Sequence, residues 1–81
     1  MISPAQCRAA RALLNWPQHK LAAAAHVGLI TVRNFEAGKV RPRHATLDVI
    51  ARAFQAEGVE FTDDGAPGVK LHARPARTRK R

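Results

Sequence analysis

The residues able to do chemistry in this 81-residue chain are few, and most of them fail on spacing. His19, His26, His44 and His72 match no zinc-binding pattern, and Cys7 is the only thiol to help them, so no metal site is expected. Cys7 lies on an apolar stripe and reads as core rather than as a nucleophile. No acid pair and no Ser-His-Asp set is apparent, so neither an enzyme nor a cofactor is expected. What remains is a polar and basic run from Gln18 to Arg43. Arg33 and Asn34 lie near the middle of it, and Lys39, Arg41 and Arg43 follow within five residues. Arg and Asn match guanine and adenine edges, and closely spaced cations suit phosphates. Each has a plainer reading as solvated surface. The preference for nucleic acid depends on what holds these residues.

Two short helices joined by a tight turn would hold them. Ser3-Pro4 starts a first helix with a capping hydroxyl and a proline at the first position, and the helix runs to about Leu14. Cys7, Ala10 and Leu14 form its apolar stripe, and Asn15 suits a left-handed cap. Pro17 opens a second helix whose inner face is Leu21, Ala22 and Ala25; it stops near His26. A third spans about 29–37, with Val32, Phe35 and Glu36 on one side, and Gly38 ends it. Pro42 keeps the basic linker non-helical. A fourth runs over about 44–57, with Leu47, Ile50, Ala51 and Phe54 at helical spacing. The pieces 59–61 and 69–71 alternate apolar and polar around a loop rich in turn formers, which predicts a β-hairpin. A lone hairpin is marginal, so it must lean on the helices or pair with another chain. Trp16, Phe35, Phe54 and Phe61 supply the bulky core pieces.

Charge and composition narrow the partners. Fourteen Lys and Arg face six Asp and Glu, for a net +8. Residues 72–81 carry five of the bases and no acid, which leaves +3 for residues 1–71. A polyanion is the natural partner, nucleic acid ahead of a membrane surface. No apolar run approaches the roughly 20 residues that cross a bilayer, and no signal peptide is visible. One cysteine implies no oxidising compartment. A cytoplasmic address follows, with residues 1–58 as a helical domain, 59–71 as its hairpin extension and 72–81 as a disordered basic tail.

The pattern from Gln18 to Gly38 reads Gln-x-x-Leu-Ala-x-x-Ala-x-Val, then Val-x-x-Phe-Glu-x-Gly after a four-residue gap. Ala22 lets the second helix touch the third, Val27 plugs the turn into the core, and the outer face of the third stays open to a major groove. This resembles the helix-turn-helix domain of the Cro/C1-type repressor family, the xenobiotic-response-element family, over about residues 2 to 57. The segment from Phe35 to Lys39 followed by Arg41-Pro42 is its most specific part. The resemblance implies a mainly α fold of four helices, here followed by the hairpin. It implies that Leu29, Ile30, Thr31, Arg33 and Asn34 face bases, that Gln18 touches a phosphate while bracing the third helix, and that Lys39, Arg41 and Arg43 hold the DNA backbone. It further implies a buried ion pair between Arg11 and Glu36.

The chain departs from the family pattern at several places. Pro17 and Gly28 replace capping hydroxyls, and His26 stands at the usual turn glycine. Leu29 and Ile30 are apolar where polar base readers are common; either they meet thymine methyls or they form a protein-binding patch. Two functions therefore stand side by side. One is a small bacterial or phage-type transcriptional regulator that binds double-stranded DNA, as a homodimer and with no small-molecule effector. The other is an antitoxin-like or partner-binding interaction module on the same fold. For the homodimer, the hairpin with Val59, Phe61, Val69 and Leu71 is the candidate interface.

Overall fold

Ser3 starts the first helix, α1 (Pro4–Leu14), with a reciprocal cap. Its Oγ accepts the Gln6 N–H at 3.1 Å, while Gln6 Oε1 accepts the Ser3 N–H at 2.9 Å. The coordinates are those of a computed structural model that describes residues 1–72. Asn15 ends α1 with φ 56°, and the Trp16 N–H then donates to the Arg11 carbonyl at 2.9 Å. The second helix, α2 (Gln18–Ala25), begins one residue later than expected. Pro17 is extended, at φ −73° and ψ 167°, and caps α2 from outside through its carbonyl.

His26 closes α2 in the left-handed region at φ 58°, and the Val27 N–H reaches the Ala22 carbonyl at 3.0 Å. A non-glycine residue in that region costs roughly 1 kcal/mol or more, though His tolerates it better than most. After Gly28 the third helix, α3 (Leu29–Glu36), sets off at once. Gly38, at φ 75°, terminates it. The fourth helix, α4 (His44–Gln55), ends two residues early, because the N–H groups of Glu57 and Gly58 tighten onto the carbonyls three residues back.

β1 (Val59–Asp63) and β2 (Pro67–Leu71) pair antiparallel, with Val59 opposite Leu71 and Asp63 opposite Pro67. Each strand is two residues longer than expected. Thr62 and Asp63 pair with Gly68 and Pro67 although Asp, Gly and Pro are depleted in strands. Gly68 makes this possible: a Cβ there would lie 2.8 Å from Thr62 Oγ1. Pro67 is tolerable at the end of an outer strand, where no ladder bond needs its N–H.

Phe54, Leu21, Ile50, Val32 and Cys7 are fully buried and come from all four helices. Burying side chains of the Leu, Ile or Phe class contributes about 1.5–3 kcal/mol each. Trp16 stacks on one side of Phe54 and Phe61 meets it edge-on, both at 5.9 Å between ring centres. Ile2 is also buried, beyond what helical periodicity suggested. The hairpin leans on this core through Val59, Phe61 and Val69. Three of the four hairpin residues expected to face a second chain are thus spent within this one, and only Leu71 is exposed. Among the described residues no helix is long and apolar enough to cross a membrane. Of the basic tail expected over residues 72–81, His72 is described and ordered, its N–H donating to the Gly58 carbonyl at 2.9 Å, and residues 73–81 lie outside the described residues.

Candidate nucleic-acid interface

α2 and α3 meet because α2 is thin where they touch. Ala22 and Ala25 are buried beside Leu21, and Val32 and Phe35 of α3 close the same core. Val27 in the turn is half-buried against it. Burial of Val32, Phe35 and Glu36 fixes the rotation of α3. At 3.6 residues per turn the opposite row is then Ile30, Asn34 and Ala37, with Arg33 beside it. Leu29, Ile30 and Arg33 are exposed, while Thr31 and Asn34 are half-buried. None of the five residues expected to face bases is buried.

The opposite edge of α3 is held by one carboxylate. Arg11 donates to Glu36 through Nε (to Oε2) and Nη2 (to Oε1), both at 2.7 Å, the two-pronged geometry that suits a guanidinium. The Glu36 side chain is 2% exposed and that of Arg11 19%. Gln18 Nε2 donates to Glu36 Oε1 at 3.0 Å, and the Cys7 thiol donates to Oε2 at 3.1 Å. Arg11 Nη1 also bonds the Trp16 carbonyl at 2.9 Å, and Arg8 bonds the backbone carbonyl of Glu36. Burial alone would raise the Glu36 pKa; the bonds from Arg11, Gln18 and Cys7 outweigh it and hold the carboxyl below its usual range. Burial, and then the facing carboxylate, push the Cys7 thiol up, so it stays protonated. Gln18 is therefore clamped with one amide hydrogen spent, and its second N–H remains for another acceptor.

Charge is segregated along the chain. Glu36 is the only acid among residues 1–47, against seven Lys and Arg. The other five acids lie in residues 48–64. Since Glu36 is buried and paired, the half formed by residues 1–47 presents cations alone, whereas further along α4 the Asp48 carboxylate is 47% exposed and pairs with Arg52. Lys39, Arg41 and Arg43 are exposed in the segment leaving α3, and with Arg33 they make no ion pair or side-chain hydrogen bond among the described residues. α2, α3 and α4 carry neither a side-chain cap nor an acid in the first turn, unlike the capped α1. Helix starts of this kind add partial positive charge on the same half. Among the described residues no group of three or more His, Cys, Asp and Glu could hold a metal ion.

Three contributors escaped the sequence reading. Gln6 caps α1 and also donates its Nε2 to the Thr62 and Gly68 carbonyls, at 3.1 and 3.0 Å, tying the hairpin to the first helix. Only the Ser-x-x-Gln spacing of a capping box hinted at it. Arg8 clasps the end of α3, and Cys7 completes the bonding of Glu36; neither carries a local signal. The helix-turn-helix family matches the chain over residues 8–61, a span that contains Arg11, Gln18, α3 and the basic linker. No curated protein matches the sequence.

Proposed function

The chain belongs to the helix-turn-helix family of Cro/C1 type, and from that premise we propose that it binds double-stranded DNA sequence-specifically and regulates transcription, as a cytoplasmic repressor. The observation that carries the reading is the outer row of α3. It is unburied, and the exposed cations Arg33, Lys39, Arg41 and Arg43 make no ion pair among the described residues, since the one acid among residues 1–47 is buried against Arg11. In this reading Arg33 and Asn34 read base edges from the major groove. Lys39, Arg41 and Arg43 bind phosphates and supply affinity without sequence preference. Gln18, braced by Glu36, gives its remaining amide hydrogen to a phosphate. Regulation comes from occupancy of the site, with no cofactor and no small-molecule effector. One recognition helix spans only a few base pairs, so two copies act on an inverted repeat about 34 Å apart in its half-sites.

Titrating an isotope-labelled chain with a random-sequence duplex tests this. Amide shifts should move in α3, at the start of α2 and in residues 39–43, and affinity should fall steeply with salt, since each neutralised phosphate contributes about 0.9 to the logarithmic slope. Perturbation confined to α4 and the hairpin, or binding insensitive to salt, would overturn it.

A further inference from the structure

We propose that Leu29 and Ile30 read pyrimidine C5-methyl groups in the major groove, so that the preferred duplex places such methyls opposite the start of α3. The inference rests on the DNA-binding reading above and specifies what that site prefers.

Ile30 sits on the outer row of α3, one turn before Asn34, and is 61% exposed. Apart from Met1 it is the most exposed large apolar side chain among the described residues, and its neighbour Leu29 is 39% exposed. The fold leaves Ile30 largely uncovered and Leu29 uncovered in part. They occupy the first two positions of α3, the part of a recognition helix that meets base edges. Neither side chain can donate or accept a hydrogen bond. The one apolar group that base edges present in the major groove is the C5 methyl of thymine, and 5-methylcytosine carries the same methyl at the same place.

The surroundings decide the kind of occupant. Arg33, one turn on from Ile30, is exposed, as are Lys39, Arg41 and Arg43 in the segment that leaves α3, and the only acid among residues 1–47 is enclosed. Whatever covers Ile30 must therefore combine a dense anionic rim with a small apolar knob. A methyl-bearing duplex has both. Asn34, further along the same row, supplies the polar complement, so the apolar pair adds preference without leaving a buried polar group unpaired.

The test uses a duplex selected from random DNA by the full chain. Each thymine is replaced in turn by deoxyuridine, which keeps every hydrogen-bonding group and lacks only the methyl. Each cytosine is replaced in turn by 5-methylcytosine. Affinity should fall about fourfold at one or two thymine positions, the worth of one buried methyl, and the loss should vanish in Ile30→Ala. If the preferred source is methylcytosine, the same positions show a gain of similar size on methylation instead. Specific binding with no methyl effect at any position overturns the inference and leaves the DNA-binding reading standing. Ile30→Ala at wild-type affinity, or with the deoxyuridine loss intact, overturns it as well and returns the pair to a protein partner. No saturable binding to any duplex overturns both.

Discussion

Replacing Glu36 by alanine should be among the most damaging single changes available in this fold. The carboxylate is 2% exposed and accepts four hydrogen bonds, two from Arg11, one from Gln18 and one from Cys7. Without it the Arg11 guanidinium keeps only the Trp16 carbonyl and a 19% opening to water. Breaking a buried pair from one side typically costs about 3–5 kcal/mol, and the residual solvation of Arg11 favours the lower end. A domain of this size holds about 4–12 kcal/mol in all, so Glu36→Ala should lose a large share of it. The lone Trp16, stacked on Phe54, reports urea unfolding by its fluorescence. With a urea slope near 1 kcal/mol per molar, the midpoint should drop by about 3 M.

The isosteric Glu36→Gln separates charge from shape, and its pH dependence has a definite sign. The folded Glu36 pKa lies below the unfolded value, so its contribution is complete above about pH 4.3 and disappears as pH falls through the folded pKa. The gap between wild type and Glu36→Gln should stay constant from neutral pH to about 5 and close below that. If both variants sit within about 0.5 kcal/mol of wild type, as surface changes do, the carboxylate does not hold α3.

Cys7 should act at the other end of the pH scale. Its folded pKa is raised, so its contribution is complete below the unfolded value of about 8.5 and is lost as pH climbs above it, when only the unfolded chain releases the proton. Urea midpoints of wild type should fall between about pH 8.5 and 10 more steeply than those of Cys7→Ala, and alkylation of the native thiol should proceed only as fast as unfolding; rapid native alkylation would contradict its burial. Gln6→Ala should cost about 1–2 kcal/mol and hasten hydrogen exchange in the hairpin more than in α3, because one side chain serves both the α1 cap and the hairpin tether; uniform exchange would refute the tether. If the hairpin edge joins two copies, Leu71→Lys should shift sedimentation at micromolar concentration from dimer to monomer without altering the fold, whereas a wild-type chain already monomeric on its duplex rules that interface out.

The helices were legible because their signals are local. Ser3-Pro4, Asn15, the alanine run and Gly38 mark ends that backbone sterics and propensity enforce with little outside help, and apolar spacing fixed which faces are buried. Asn15 suits the left-handed region by local preference, whereas His26 takes it at a local cost that the turn between α2 and α3 must offset. The outer row of α3 follows once Val32 and Phe35 are placed inside. Strand length was less legible, since Asp63, Pro67 and Gly68 carry turn propensity and Thr62 stands next to them. Only their cross-strand pairing, and the absence of a Cβ at Gly68, makes them strand. The double task of Gln6 and the clasp of Arg8 join residues 28 to 62 positions apart, and no periodic pattern encodes that. The unburied row of α3 and the exposed cations that follow it were legible as to residue type and face. Which bases they choose depends on a partner's shape, and that is not written in the chain alone.

The central claim is a division of labour, with the outer row of α3 choosing bases and the segment after it holding the DNA backbone. It is tested most directly by measuring the affinity of Arg41→Ala and Asn34→Ala for a selected duplex and its single-base variants over a range of salt. Arg41→Ala should weaken binding to every sequence alike and lower the logarithmic salt slope by about 1, while Asn34→Ala should leave the slope unchanged and relax preference at one or two base pairs. Two variants that behave identically, or an Asn34→Ala protein with undiminished sequence preference, would contradict the account.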